Sequence, residues 1–359
     1  MAELTTKERM SRILQHQDAD RVPILDKPWE GTISRWHREG MPLKTDWRDY
    51  FNTDKLETIL PDITPGYEEE VLEGNKDYLI LKTNWGVTMK VFRVQDSTPE
   101  FLDYTITNRT AWEDAKRRML ADETEEGDRV NWKWLKREYP KWRQEGSWVS
   151  GLFWFGFDVT HSWMMGTETL LVLMIEDPDF VKEIFNTYLD CCIKQFDRIW
   201  DAGYHFDWVS WMDDMGYKGT TFFSADMYRE LLKPVHKRAV DWAHNHGIYA
   251  HLHSCGNVSS FIPELLDIGV DVLNPLEVKA GVDPIAVKQQ YGDKLSLHGG
   301  TNAVLWDDKA HILAEIERQV PILKQNGGYI FSSDHSIPNT VSLDTFREII
   351  RTVKEVGRY

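Results

Sequence analysis

From residue 148 onward the chain alternates short apolar runs with amphipathic stretches. The runs are Trp148–Phe157, Asp207–Met212, Ile248–Leu252, Val270–Leu276, Leu295–Leu297 and Gly328–Phe331, each of strand length and rich in branched or aromatic residues. Helical spacing fills the gaps. One helix begins at Glu168–Ile175, one follows a cap at Ser224, and one runs from about Pro234 to Gly247, where glycine suits the stop. Asp283 caps the next, with Pro284 at its first position, and a last one starts near Ser342. Strands alternating with helices predict a parallel sheet. Upstream, Thr5-Thr6-Lys7-Glu8 has the form of a capping box, and Arg21–Asp26 reads as a strand running into a loop. Residues 66–94 read as an antiparallel insertion: Glu68–Leu72 and Tyr78–Lys82 join around Gly74-Asn75, and Val87–Phe92 follows. Residues 111–147 are charged and helical, which suggests a lid or peripheral subdomain. No glycine-rich phosphate turn accompanies the βα units, so a single α/β (β/α)8 TIM barrel over residues 1–359 is expected, with 66–147 as insertion and peripheral subdomain.

The chain's 359 residues can bury a core of that size. A formal charge of −16 with no basic stripe argues against nucleic acid or an anionic membrane as partner. Three cysteines make no disulfide framework, and the N-terminus has no apolar signal core, so a soluble cytoplasmic protein is expected. Sixteen tryptophans are unusual. Most read as bulky core, but Trp154, Trp163, Trp208 and Trp211 flank strand ends where a barrel builds its pocket. Indole walls there suit a flat apolar ligand.

The polar residues that end the runs are the candidate chemistry. His253 and Cys255, two apart, close the run Ile248–Leu252 and precede Gly256. Glu277 ends Val270–Leu276, and His335 follows Gly328–Phe331. Nitrogen, sulfur and oxygen donors at the carboxyl ends of strands suit zinc, so His253, Cys255, Glu277 and His335 form the expected ligand set. Asp213, Asp214 and His298 occupy equivalent places and are the catalytic candidates; Asp26, ending the first strand, joins the substrate-binding candidates. His251 shares a face with His253 one layer deeper and reads as core, while His161, His205, His236, His244 and His246 read most simply as surface or helix residues.

These motifs resemble the uroporphyrinogen-decarboxylase superfamily along nearly the whole chain. The resemblance lies in Arg21-Val22-Pro23, His253-Ser254-Cys255-Gly256-Asn257, Asn274-Pro275-Leu276-Glu277, Tyr291-Gly292-Asp293-Lys294-Leu295 with Gly299-Gly300, and Gly327-Gly328-Tyr329-Ile330 up to His335. It implies a (β/α)8 barrel. The decarboxylase itself carries an arginine-bearing segment after its first strand, where this chain reads Asp26-Lys27-Pro28-Trp29-Glu30-Gly31. The His-x-Cys-Gly-Asn loop is similar instead to the zinc site of the cobalamin-dependent methyltransferases. Where their thiol-directed members carry a later cysteine, this chain has His335. That harder donor set implies an oxygen ligand and resembles the O-demethylase branch, in which Glu277 and His298 offer a second ligand set. The resemblance therefore implies methyl transfer from an aryl methyl ether to cob(I)alamin on a partner corrinoid protein. The other readings are a methylcorrinoid:thiol methyltransferase, a decarboxylase, and a barrel that binds a corrinoid or aromatic ligand without turnover.

Overall fold

A computed structural model describes residues 3–93, 97–124 and 127–359. Its centre is one curled parallel sheet in the order Leu56–Ile59, Trp148–Phe153, Trp208–Met212, Tyr249–His253, Val272–Asn274, Ser296–His298, Tyr329–Ile330. Chain order equals sheet order, as successive βα units require. Residues 22–25 close the ring. Leu25 N–H donates to Phe331 O at 3.0 Å and Phe331 N–H to Pro23 O at 2.8 Å, while Asp54 N–H reaches Ile24 O from the other side at 3.2 Å. Pro23 has no N–H to give, so this eighth strand pairs only through a single bridge, Ile24 with Phe331. The (β/α)8 barrel is the observed fold.

Alternation within the strands layers the interior. Trp148, Trp208, Val272, Ile330 and Leu25 form a floor, plugged from below by Met10, Ile13 and Leu14 of the helix Thr6–Leu14. Thr5 and Glu8 close the expected capping box on that helix. Above the floor lies a polar layer of Ser210, His251 and His298. His253, Asn274 and the strand-end loops form the mouth.

The first half departs from expectation in two ways. The insertion is a four-stranded antiparallel sheet rather than three strands, because Glu100–Tyr104 pairs with Val87–Phe92. Residues 111–147 hold two helices, Arg109–Leu120 and Trp132–Glu145, and the second is no lid. Its last turn sits beneath the barrel, where Gly146 O accepts the Lys7 N–H at 2.8 Å and Arg143 pairs with Asp207 at 2.6 Å, at the entry to the strand Trp208–Met212. It is the crossover helix feeding Trp148–Phe153, and its charges are its solvated face. No described helix is long and apolar enough to cross a membrane.

Candidate functional site

His253 ends the strand Tyr249–His253 with its side chain into the mouth. Asn274, beside it on the next strand, donates its side-chain N–H to His298 O at 2.9 Å. A carbonyl only accepts, so the Asn274 amide oxygen is the atom turned to His253 Nδ1, which must donate to it. That leaves the Nε2 lone pair free. It faces Cys255 Sγ at 3.3 Å and Asp214 Oδ1 at 3.6 Å. Asp214 Oδ1 also accepts the Cys255 N–H at 2.7 Å. One donor atom each from Asp214, His253 and Cys255 thus lies within 4.8 Å of the other two. Three ligands of N, S and O type, one with its tautomer set by a second partner, fit a zinc site with an open position. Burial, and next the carboxylates of Asp214, Glu277 and Asp158, push the Cys255 thiol well above its ordinary value.

Glu277 and His335, expected as ligands, stand outside this trio. Glu277 Oε2 accepts the Gly256 N–H at 2.6 Å and Oε1 lies 3.4 Å from Lys279 Nζ, so it braces the His-x-Cys-Gly loop from below. His335 rests near the Trp29 ring, 6.1 Å between centroids, and burial lowers its pKa. The carboxylate that stands beside His253 and Cys255 is that of Asp214, which accepts the Cys255 N–H.

The catalytic candidates separate. Asp213 is fully buried behind the mouth, bonded to His236 Nε2 at 2.8 Å and to the Asp158 N–H at 2.7 Å. His298 spends both nitrogens inside the barrel: Nε2 donates to Leu25 O at 3.0 Å, so Nδ1 accepts from His251 Nε2 at 3.1 Å. His251 Nδ1 in turn accepts from Ser210 Oγ at 2.8 Å. Burial pushes the His298 pKa down to about 4, and both its ring nitrogens are engaged with Leu25 and His251.

Of the four tryptophans, Trp154 and Trp163 meet at the mouth, 5.2 Å between rings, and Trp85 from the insertion joins them at 5.2 Å from Trp154. Trp208 lies in the floor, 5.6 Å from Trp148 and beneath His251. Trp211, one strand residue out of phase with Ser210, faces the helix layer against Phe155 and His236. Asp26 accepts the Ser333 N–H at 2.7 Å, the Ser333 hydroxyl at 2.8 Å and the Lys27 N–H at 2.8 Å, locking the first strand to the last. Burial pushes its carboxyl up to about 6.

Asp158, which the sequence did not single out, and His161, expected as a surface or helix residue, complete the mouth. Asp158 accepts the Trp154 indole N–H at 3.0 Å and lies 3.8 Å from His161 Nε2. Burial, then the Asp214 charge, push Asp158 up to about 8, and burial takes His161 down to about 4. Asp158 directly follows the apolar run Trp148–Phe157, so the rule that singled out Asp213 applied to it equally. His161 sits in a π-helical turn, Thr160–Met165, which no periodicity announces. It stacks on Phe157 at 4.6 Å, and Phe222 and Tyr217 extend that wall outward.

A family comparison matches residues 159–356, more than half of the chain, to Uroporphyrinogen decarboxylase (URO-D). No curated protein matches. Among solved structures, a methyltransferase from Methanosarcina mazei has 14% sequence identity, covers 98% of this chain and 99% of its own, and superposes with a TM-score of 0.64. That likeness is one of fold. Two dihydropteroate synthases are far more distant. The 7,8-dihydropteroate synthase from Vibrio fischeri ES114 has 14% identity over 47% of this chain and 86% of its own at a TM-score of 0.21. The Yersinia pestis enzyme, in complex with a sulfonamide drug, has 11% identity over 58% and 94% at 0.23. Matched family and observed barrel agree: the chain belongs to the uroporphyrinogen decarboxylase (URO-D) family.

Proposed function

We propose that this protein is a cobalamin-dependent methyltransferase that moves a methyl group from an aryl methyl ether to cob(I)alamin carried by a corrinoid protein. The observation that carries the reading is the trio Asp214, His253 and Cys255, with the His253 tautomer set by Asn274, beside a tryptophan cluster at the mouth. These three residues would hold zinc. Bound there, zinc supplies Lewis acidity toward the ether oxygen, easing departure of the phenolate. Trp154 and Trp163, partly exposed and backed by the buried Trp85, offer the arene flat apolar walls and exclude water. Asp158, tied to the Trp154 indole, sets the angle of that wall. The methyl carbon must point outward, since the corrinoid arrives on another protein.

Decarboxylation of a polycarboxylate fits poorly. Asp26, Asp158, Asp214 and Glu277 line the mouth, and Lys279 beside them is already paired with Glu277. A substrate carboxylate would be desolvated there without an arginine partner.

The test mixes purified protein with chemically reduced cob(I)alamin and a panel of methoxyarenes and follows methylcobalamin in the visible spectrum. Methylcobalamin is expected with guaiacol- or veratrole-like ethers, and a chelator should abolish it, with activity returning on zinc addition. No reaction with ethers, but demethylation of methylcobalamin by thiols, would reverse the direction assigned here. Inactivity in both directions would remove the methyltransferase reading.

A further inference from the structure

Behind the mouth, between the barrel wall and its helices, a buried chain of three side chains links two irregular helical turns. Asp213 Oδ1 accepts the Asp158 backbone N–H at 2.7 Å, and Asp213 Oδ2 lies 2.8 Å from His236 Nε2. His236 Nδ1 is 3.1 Å from Tyr228 Oη. All three residues have 0% exposure. With Asp213 ionised, His236 donates from Nε2, so its Nδ1 accepts the Tyr228 hydroxyl proton. The Asp158 end opens the short helix Phe157–Val159 and the π-helical turn Thr160–Met165. At the other end, Tyr228 begins a second π-helical turn, Tyr228–Leu232, which leads into the helix carrying His236. Such turns are rare and often sit at functional sites. The backbone is packed around this carboxylate: Gly156 is left-handed, at φ +97°, and a Cβ there would collide with Asp213.

The segment held at the Asp158 end carries Asp158, His161 and Trp163, which form one wall of the mouth. His236 and Tyr228 themselves touch nothing in that mouth that a substrate could reach, since both are fully enclosed. We propose that His236 and Tyr228 are positioning residues that, through the Asp213 carboxylate, clamp the Asp158 amide and hold residues 158–165 against the Asp214–His253–Cys255 trio. The functional meaning of this clamp rests on the mouth being the active site. Its existence does not.

Hydrogen–deuterium exchange on the full, zinc-loaded chain reads the clamp directly. His236→Leu removes the donor to Asp213, whereas His236→Gln keeps an N–H at a similar reach. In His236→Leu, amides of residues 156–166 should exchange about tenfold faster while those of residues 249–255 keep their protection. His236→Gln should restore most of that protection. The KM for the methoxyarene should rise in His236→Leu more than kcat falls, because the wall moves and the metal ligands do not. Tyr228→Phe deletes one hydroxyl oxygen and should give a smaller loosening of about threefold, a readout that survives if His236→Leu does not fold. Unchanged exchange at 156–166 in these variants, uniform acceleration of both segments, or equal loss in the Leu and Gln variants would each overturn the proposal. If the wild-type protein transfers no methyl group, the proposed function falls while the exchange pattern still decides the clamp.

Discussion

What His253 can offer is decided by a neighbour. Asn274 is held by the His298 carbonyl, and so it presents oxygen, not nitrogen, to the imidazole. Asn274→Leu removes that constraint and lets the ring rotate or change tautomer. Zinc affinity should fall about 10–100-fold, measured by competition with a chromophoric chelator. An affinity equal to wild type would mean that the ring is held by something else. This dependence also explains how much of the site could be read from residues alone. His253, Cys255 and Asp214 stand where apolar runs end, which is a statement about strands, and strands show in the pattern. The direction in which a side chain leaves its loop does not show. Glu277 turns to the Gly256 amide and Asp214 turns to Cys255, and nothing in their spacing separates those outcomes. His298 stands at a strand end before Gly299-Gly300, yet its bonds to Leu25 and His251 form only when strands far apart in sequence are side by side.

At the scale of elements, the loop that carries Cys255 depends on a backbone contact. Gly256 has φ +80°, and a Cβ on it would strike the main chain of Gly216 in the small hairpin that covers the loop. Glu277 holds the same residue by its N–H. Gly256→Ala must strain the left-handed backbone or push the hairpin away. It should destabilise the protein by about 1–3 kcal/mol and weaken zinc binding along with it, seen by thermal melting and metal titration. A variant with wild-type melting and wild-type affinity would show that the two loops do not press on one another. The regular half of the chain was legible because its strands are mostly apolar and buried on both faces, broken only by the polar layer of Ser210, His251 and His298 and by polar strand ends. The first half was legible only in part: the first helix, the strand at Arg21–Asp26, three insertion strands and the charged helices show in the pattern, while Leu56–Ile59 and Glu100–Tyr104 do not. Glu100 and Asp103 disguise a peripheral strand, and the lysines and arginines of Trp132–Glu145 hide not the helix but its packing on the barrel.

At the scale of the molecule, the ring is joined by charge. Asp54, fully buried, sits between Arg9 and Arg21, with Arg21 Nη1 2.6 Å from Oδ2, and accepts the Ile24 N–H at 2.8 Å. Arg9 also pairs with Asp20 at 2.7 Å. The first helix, the first strand and the entry to the second are therefore tied at one point. Asp54→Asn would leave two enclosed guanidinium groups without their shared anion, at an expected loss of about 3–5 kcal/mol by denaturant unfolding. The same knot sets the acid limit. Burial opposes ionisation of both carboxyls, but the Arg9 hydrogen bond holds Asp20 down at about 2, and Arg21 and Arg9 hold Asp54 below its usual value of 3.8. Folded carboxyls with lowered pKa bind protons more weakly than unfolded ones. Their contribution is therefore complete above the ordinary aspartate pKa of 3.8 and drains away as pH falls toward 2. Melting temperature should drop steeply below about pH 4, and Asp54→Asn should flatten that drop. A wild-type profile flat to pH 2 would contradict this account.

The trio at the mouth draws its donors from only two adjacent strands, Trp208–Met212 and Tyr249–His253, with Asn274 on the third as brace. Trp85, Trp154 and Trp163 come from elsewhere, the insertion and the segment after Trp148–Phe153. On the proposed function, metal retention and ligand choice therefore fall on separate stretches of chain. On that reading a library diversifying residues around Trp163 should change substrate preference while metal content, measured in each member, stays the same.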